Sequence, residues 1–420
     1  MSLLALPCAM PSRADPLRKI ASFNKGRHPE LLALKYRKMA ASPFGYFRGT
    51  NHLFHADWPG HGWLERMPAV WLNGDLHLEN FGTYRGDNRL VYFDVGDFDD
   101  GALGPLGRDL VRFMVGVHIA GYEMGFGARR AQALNRIFVA AYRAALIEGK
   151  ARWIERRTAR GVIGELLMKL DRRTQADLLA KRTVTRNGKR RLRTDTGKAL
   201  ALSPEERARV VAFMKRFAEG RAVPSFFKVL DVAQRVAGVG ALGLKRYVVL
   251  MQGDGGRDGA ALIDLKSQIG STLAPRLKQR QPKFGSEAAR VVAIENRMQA
   301  VGPAFLAAVR IAGRSFTLRE LQPSADKLDL SITHPERAAF ETVIAAMGEL
   351  TAWAQLRCAG RDGATDIEGL MAFARNTGWS RPLVALAKDW ASVIFEDWRS
   401  FRESKLAAWA EAQTGLARRT

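Results

Sequence analysis

The chain has 420 residues, a formal net charge of +24 and an apolar fraction of 47%. That length allows about two to four domains or lobes, and so apolar a chain is not intrinsically disordered over most of its length. No stretch approaches about 18 uninterrupted apolar residues, which excludes a spanning helix.

The opening stretch 3–10 is apolar but short, and no positively charged segment precedes it, so no signal peptide is expected. Two cysteines, Cys8 and Cys358, supply neither a disulfide framework nor metal-ligand spacing. The expectation is a cytoplasmic protein.

Read in chain order, Pro29–Ala41 has helical spacing and breaks at Ser42-Pro43. Ala69–Leu72 is a short apolar strand, 73–80 a polar loop, and 90–93 another strand ending on Asp94. An acidic, turn-rich tail follows, Asp94-Val-Gly-Asp-Phe-Asp-Asp-Gly101. From 108 to about 160 the apolar spacing predicts at least two helices. Ser203 as cap and Pro204 at the first helical position predict a helix to about Arg221.

Strands then dominate: 226–237 and 244–251 flank a glycine loop, and 260–266 is a third strand. Alternation puts Leu262, Asp264 and Lys266 on one of its faces, with Ala261, Ile263 and Leu265 on the other. Helix 286–301 follows, then a hairpin, 305–311 and 315–321, across Ala312-Gly313-Arg314. From Pro335 onward the spacing is helical again.

Between 150 and 198 there are 16 Lys plus Arg against five acids, a net of +11. Such a patch suits nucleic acid, anionic lipid or a phosphorylated substrate. The favoured reading is a solvated helix face followed by a basic hairpin, 183–193, turning at Asn187-Gly188. No aromatic residue interleaves the cluster from Leu166 onward, so any polyanion binding here is expected to be non-specific.

The strongest chemical signal is Gly74-Asp-Leu-His-Leu-Glu-Asn80. Asp75 and Asn80 lie five apart, and Asp94 closes the next strand 14 residues after Asn80. Phosphoryl transfer needs such a set: a carboxylate to take the proton of the attacking hydroxyl, and oxygen ligands to hold Mg²⁺ against nucleotide phosphates. Asp and Asn in an ordinary Asx turn explain any one of these residues, but not three together on consecutive strand ends.

The glycine loop is Gly238-Val-Gly-Ala-Leu-Gly243, and a strand rather than a helix follows it. A dinucleotide site would need the helix; a strand–loop–strand hairpin is the form that covers phosphates in kinases. Lys266, 23 residues past Gly243, suits a phosphate-pairing role, although a lone lysine is more often solvent-facing. Glu287 or Glu295 on the following helix is a candidate ion-pair partner for it.

The motif Gly-Asp-Leu-His-x-x-Asn, with its following strand ending in Asp, resembles the catalytic and metal loops of aminoglycoside and choline phosphotransferases in the protein-kinase-like superfamily. Asn73 stands where that family has His, a departure that concerns loop packing rather than chemistry. Asp109 resembles the structural Asp on the helix after the metal loop. The segment Leu318-Arg-Glu-Leu-Gln-Pro-Ser324 resembles the hinge that bonds adenine, which makes Glu320 and Gln322 candidate nucleotide contacts.

The parts are complete but rotated, since the glycine loop and lysine follow the catalytic loop by about 160 residues. That order resembles one family across nearly the whole chain, domain of unknown function 2252. The stretches that carry the likeness include Ser42-Pro-Phe-Gly-Tyr-Phe-Arg-Gly49, Gly74–Gly82, Phe93-Asp-Val-Gly-Asp-Phe-Asp-Asp100 and Arg319-Glu-Leu-Gln-Pro-Ser324. Gln355 stands where the family has His, and no catalytic role is assigned to it.

The resemblance implies an α+β, protein-kinase-like two-lobe fold, circularly permuted. Its expected parts are an N-terminal helical segment (1–60), a helical lobe with catalytic and metal loops (61–222), a sheet-rich nucleotide-covering lobe (223–332), and C-terminal helices (333–420). It implies an ATP- and Mg²⁺-dependent phosphotransferase acting on a small-molecule or protein hydroxyl. Asp75 is the expected base, and Asn80, Asp94 and Asp97 are the candidate metal ligands. Gly238, Gly240, Gly243, Lys266, Glu295, Glu320 and Gln322 are the expected nucleotide contacts. The alternatives are a catalytically silent nucleotide-binding or basic interaction module, and a nucleotidyl transferase that holds ATP in the reverse sense.

Overall fold

The computed structural model describes residues 15–60, 62–256, 259–323, 326–327 and 337–416. Cys8, segment 3–10, Ser324 and Pro335 lie outside them.

Local chemistry sets most element boundaries. Pro29 opens helix Pro29–Ala41, and Ser42 ends it in extended backbone. The Ser42 hydroxyl then accepts from the Gly45 N–H at 2.8 Å, so the expected break is also the N-cap of helix Pro43–Gly49. Ser203 caps helix Pro204–Glu219 in the same way, accepting from the Glu206 N–H at 3.2 Å. Asn187 and Gly188 have φ of 49° and 70°, the pair of left-handed residues that a two-residue hairpin turn needs between Thr183–Arg186 and Lys189–Leu192. Ala312 and Gly313 do the same between Ala307–Ile311 and Arg314–Glu320.

Two expectations are corrected. Helix Ala128–Glu148 stops at Gly149, whose φ of 67° caps it, so 150–160 is not helical and contributes the short strand Ile154–Glu155. The expected strand 226–237 begins as a 3₁₀ turn, Pro224–Phe227, and the regular strand is Val229–Arg235.

The fold is α+β. Its largest sheet among the described residues has six antiparallel strands in the order Ala307–Ile311, Arg314–Glu320, Ala261–Ser267, Arg246–Met251, Val229–Arg235, Ala199–Leu200. As the alternation predicts, Ala261, Ile263 and Leu265 pack under helix Pro204–Glu219, against Val210, Phe213 and Met214. The opposite face carries Asp264 and Lys266. Helix Glu287–Met298 packs on the strands Ala307–Ile311 and Arg314–Glu320, and through Val291, Ile294 and Met298 it joins the core of the helical body.

Helix Gly107–Glu123 is the axis of that body, with every residue from 107 to 121 buried. Helices Pro43–Gly49, Ala128–Glu148 and Ser380–Arg402 surround it. Helix Lys405–Leu416 lies against Pro29–Ala41: Arg37 donates to the Ala410 carbonyl at 2.7 Å, and Tyr36 meets Phe401 and Trp409 edge-on. Residues from both ends of the chain thus build one packed unit. A second sheet, ordered Asp326–Lys327, Phe81–Arg85, Val91–Val95, Ile154–Glu155, holds the hairpin that follows the 73–80 loop. No helix among the described residues is long and apolar enough to cross a membrane.

The basic stretch is not one face. It runs through a strand, helices Gly161–Asp171 and Gln175–Arg182, and the hairpin, and some of its cations are already paired, as Arg156 is with Asp171 at 2.8 Å.

Helix Arg337–Arg357 lies along Ala128–Glu148, and Gly348 lets the two approach closely. A Cβ at Gly348 would meet the Phe138 carbonyl oxygen at 2.4 Å. That oxygen is backbone and cannot swing away, so Gly348→Ala should force the helices apart. Overpacking of this kind costs about 1–3 kcal/mol, to be read as a lower denaturation midpoint at unchanged slope. An unshifted midpoint would show that the helices do not meet at Gly348.

Candidate active site

The 73–80 loop is hung from helix Gly107–Glu123. The Asp109 carboxylate, buried in the first turn of that helix, accepts the backbone N–H of Asn73 at 2.7 Å and of Gly74 at 2.9 Å. Burial pushes its pKa up to about 7, against the pull of those two donors. Gly74 has φ of +83°, and a Cβ there would sit 2.3 Å from the Asp100 carbonyl oxygen, so only glycine fits. Asn73, the departure from the phosphotransferase pattern, ties two loops together: its amide donates to the Gly96 and Asp97 carbonyls, each at 3.1 Å.

Asp75 faces the cleft with its side chain 23% exposed. One oxygen, Oδ1, accepts from Arg112 Nε at 2.9 Å, and Nη2 of the same guanidinium forms an ion pair with it at 2.9 Å. The Arg112 guanidinium is itself fixed, lying 3.4 Å from the Phe47 ring centroid and donating to the Phe47 carbonyl at 2.7 Å. Burial raises the Asp75 pKa to about 7; Arg112 opposes the rise, while Asp100 and Asp97 add to it. Asn80 donates its amide to the Asp75 carbonyl at 2.7 Å and to Asn73 Oδ1 at 3.3 Å. Both bonds use nitrogen, which leaves the amide oxygen as the atom for a cation.

Asp97 adopts φ of 62°, and its Oδ1 accepts from Lys266 Nζ at 2.7 Å; Asp99 pairs with the same ammonium. Burial acts to raise the Asp97 pKa, but Lys266 overrides it and holds the group below the usual carboxylate range. Asp100 accepts from the Thr272 N–H at 2.6 Å and from the Asn51 amide at 2.8 Å, pinning the acidic run to both flanking segments. The glycine loop closes the cleft from above. Gly238 and Gly240 line it, and Gly243 sits behind, where a Cβ would lie 2.7 Å from that of Arg27. The cleft opens to solvent, and its cavity volume is about 100 Å³, room for several waters.

Asp75, Asn80, Asp97, Lys266, Gly238 and Gly240 therefore meet in one cleft. Other expected site residues do not. Asp94 is buried away from the cleft, held by Arg357 Nη2 at 3.0 Å and by the N–H groups of Val95 and Ala300 at 2.8 and 3.0 Å. The strand sends its side chain inward, and the left-handed turn three residues later brings Asp97 to the cleft instead. Neither candidate glutamate pairs with Lys266: Glu287 binds Arg290 at 2.8 Å, and buried Glu295 faces Arg319 at 3.6 Å. Glu320 and Gln322 do not line the cleft. Gln322 accepts from the Arg85 N–H at 2.6 Å and donates to the Arg85 carbonyl at 2.8 Å, while Glu320 meets Arg89 at 3.4 Å. The expected base-binding edge thus joins the two sheets. Gln355, given no role, accepts from the Tyr142 hydroxyl at 2.5 Å inside the core.

The sequence reading missed Arg112, Arg27 and Lys35. Arg112 carried a signal, a cation three residues after Asp109 on an otherwise apolar helix face. Arg27 donates to the Gly240 and Leu242 carbonyls, each at 2.7 Å, and Lys35 to Gly240 at 3.1 Å, across more than 200 positions that no local pattern spans.

A family model described as "Uncharacterized protein conserved in bacteria (DUF2252)" matches residues 27–404. The chain belongs to this family. The match covers both the 73–100 loops and the glycine loop, so the cleft as a whole lies within it. No curated protein and no solved structure matches the chain.

Because Asp94 is locked to Arg357 rather than open to the cleft, Asp94→Asn should act on stability. Removing one member of a buried pair typically costs about 3–5 kcal/mol. The check is a denaturation curve beside nucleotide binding: a large midpoint loss with unchanged affinity per folded molecule is expected. The opposite result would return Asp94 to the list of metal ligands.

Proposed function

We propose that the protein is an ATP- and Mg²⁺-dependent phosphotransferase acting on an acceptor hydroxyl. The observation that carries this reading is the meeting of Asp75, Asn80, Asp97 and Lys266 beneath a glycine loop, with 169 positions between Asp97 and Lys266. The strand order supports a permuted, kinase-like two-lobe arrangement. A glycine hairpin, a lysine strand, a helix and a second hairpin follow one another in the sheet unit, but after the catalytic loop rather than before it.

The donors present suit Mg²⁺. Asn80 and Asp97 offer hard oxygens with Asp99 adjacent, and among the described residues no group of three or more His, Cys, Asp or Glu is placed to hold a metal by itself. Mg²⁺ is usually held by one or two carboxylates together with substrate phosphates, so a sparse protein set fits. When bound, the ion offsets phosphate charge during transfer.

The chain's own residues do the rest. Asp75 takes the proton of the acceptor hydroxyl, held in place by its hydrogen bond and ion pair with Arg112. Lys266, stationed between Asp97 and Asp99, supplies a positive charge at the phosphates. The backbone of Gly238 and Gly240 approaches them without side-chain obstruction.

Asp75→Asn should leave Mg²⁺-dependent ATP binding nearly intact and lower kcat by about 10²–10⁴-fold. Asp97→Asn should lose the Mg²⁺-dependent part of binding as well. The active base is the ionised form, so kcat/KM should rise with pH through about 7 in the wild type, and that rise should vanish in Asp75→Asn. The measurements are nucleotide calorimetry with and without Mg²⁺, and ATP consumption with cell extract as the acceptor source. Normal turnover by Asp75→Asn, or no Mg²⁺-dependent ATP binding by the wild type, would defeat the proposal in favour of a silent interaction module.

The stretch 150–198 supports only sequence-independent polyanion affinity in this reading. Binding to a random DNA duplex should fall linearly on a log–log plot against salt; sequence-selective binding that survives raised salt would contradict this.

A further inference from the structure

Loop 150–160 and helix Arg337–Arg357 border a second cavity, open to solvent and about 930 Å³ in volume. That is the size of a small-molecule site, and no residue lines both this cavity and the cleft. One wall is a single helix face, Thr342, Ala345, Ala346, Glu349 and Trp353, spaced at i, i+3, i+4, i+7 and i+11. Its two alanines leave room that larger side chains would fill. The other wall is fixed in advance. Strand Ile154–Glu155 pairs with Val91–Val95, and Thr158 Oγ1 accepts the Glu155 N–H at 2.9 Å and donates to the Trp153 carbonyl at 3.1 Å. Arg357 Nη1 donates to the Arg152 carbonyl at 2.8 Å, while Nη2 of the same guanidinium holds Asp94.

The lining points to a ligand class. Trp153 lines the cavity with 51% of its surface exposed, which leaves flat apolar area uncovered. Trp353 lines it too, only 7% exposed, and its buried indole N–H has no acceptor in the protein. A buried donor is normally paired. The charge is also one-sided. Lys150, Arg152, Arg157 and Arg160 line the cavity together with Glu148 and Glu349. Arg152 is paired with Glu148, whereas among the described residues no acid pairs with Lys150, Arg157 or Arg160. Glu155, the only acid within the loop, accepts the Arg157 backbone N–H at 3.0 Å. Counting it beside Glu349 still leaves these three cations in excess. The neighbouring pairs, Arg156 with Asp171 and Arg357 with Asp94, are closed and alter nothing.

We infer that this cavity is a second ligand site, separate from the cleft, for a planar aromatic molecule that carries a phosphate. The ring lies against the indole surface, and the phosphate offers three terminal oxygens to Lys150, Arg157 and Arg160. Guanidinium groups match that geometry. An acceptor atom on the ligand satisfies the Trp353 N–H. A pocket of this size takes a small molecule, unlike the open basic surface that suits a polyanion, and the site stands independently of the phosphotransferase reading.

The test is calorimetry on the full chain with three probes: 1-naphthyl phosphate, 1-naphthol and inorganic phosphate. 1-Naphthyl phosphate should bind at one site, and the other two should bind at least tenfold more weakly. Saturating ATP with Mg²⁺ should not displace it. Ala345→Trp, which fills the groove, should weaken its binding at least tenfold. If that variant fails to fold, the exposed pair Arg157→Gln and Arg160→Gln replaces it. Together these two changes should weaken 1-naphthyl phosphate at least tenfold and leave 1-naphthol unchanged. Equal affinity for 1-naphthol and its phosphate, unchanged affinity in a folded variant, or displacement by ATP with Mg²⁺ would overturn the proposal.

Discussion

The bond between Lys266 and the carboxylates of Asp97 and Asp99 is the contact on which the cleft depends. It joins the six-stranded sheet to the loop that follows the second sheet, and its ammonium is almost wholly out of water. Burial alone would lower the Lys266 pKa, yet the two carboxylates raise it. A lysine raised in the fold contributes stability that is complete below its unfolded pKa and is lost only as pH rises through the folded value. Asp97, held low, contributes above its unfolded pKa and loses that contribution in acid. Asp99 runs the other way, raised first by burial and then by Asp97, so its ionisation is the strained member of the three.

Around that link the acidic run is shaped by donors to its backbone. Arg290 donates to the Gly101 carbonyl at 2.7 Å and to the Asp99 carbonyl at 2.6 Å, and Asn73 donates to the carbonyls of Gly96 and Asp97. With the carbonyls held from outside, the carboxylates of Asp97 and Asp99 are turned toward the cleft. Asp100, in the same run, is used as a pin rather than a ligand. Among these four neighbouring acids Asp94 is held by Arg357, Asp97 and Asp99 share Lys266, and Asp100 pins the run, each set by what it meets.

Much of the scaffold was legible in the sequence because its signals are local. Ser42, Ser203 and the Asn187-Gly188 turn each act within a few residues, and alternation alone put Lys266 opposite the apolar face of its strand. The cleft's membership was legible too, at Asp75, Asn80, Asp97, Lys266 and the first two loop glycines. What failed depended on contacts distant in sequence. Asp94 reads as a strand-end ligand until Arg357, 263 positions away, claims it. Glu295 reads as a partner for Lys266 until Asp97 and Asp99 take the ammonium. Gln322 reads as a base-binding edge until the Arg85 backbone satisfies its amide from both sides. In each case the residue type was compatible with the expected role, and a competing partner decided the outcome.

The glycine loop is where such distant partners matter most. Its carbonyls at Gly240, Leu242 and Gly243 accept from Arg27, Lys35 and the His28 N–H, so its position is held by the N-terminal helices as well as by its own hairpin. Lys35 has no exposed surface, and its pKa is driven down by burial first and by Arg27 second, with Asp75 acting in the opposite sense. The three accepting carbonyls lie within four consecutive residues, so moving the loop off the helical body would break the bonds from Arg27, Lys35 and His28 together. The glycines that keep side chains out of the cleft are therefore fixed by residues more than 200 positions earlier in the chain, which a reading of the loop's own sequence does not contain.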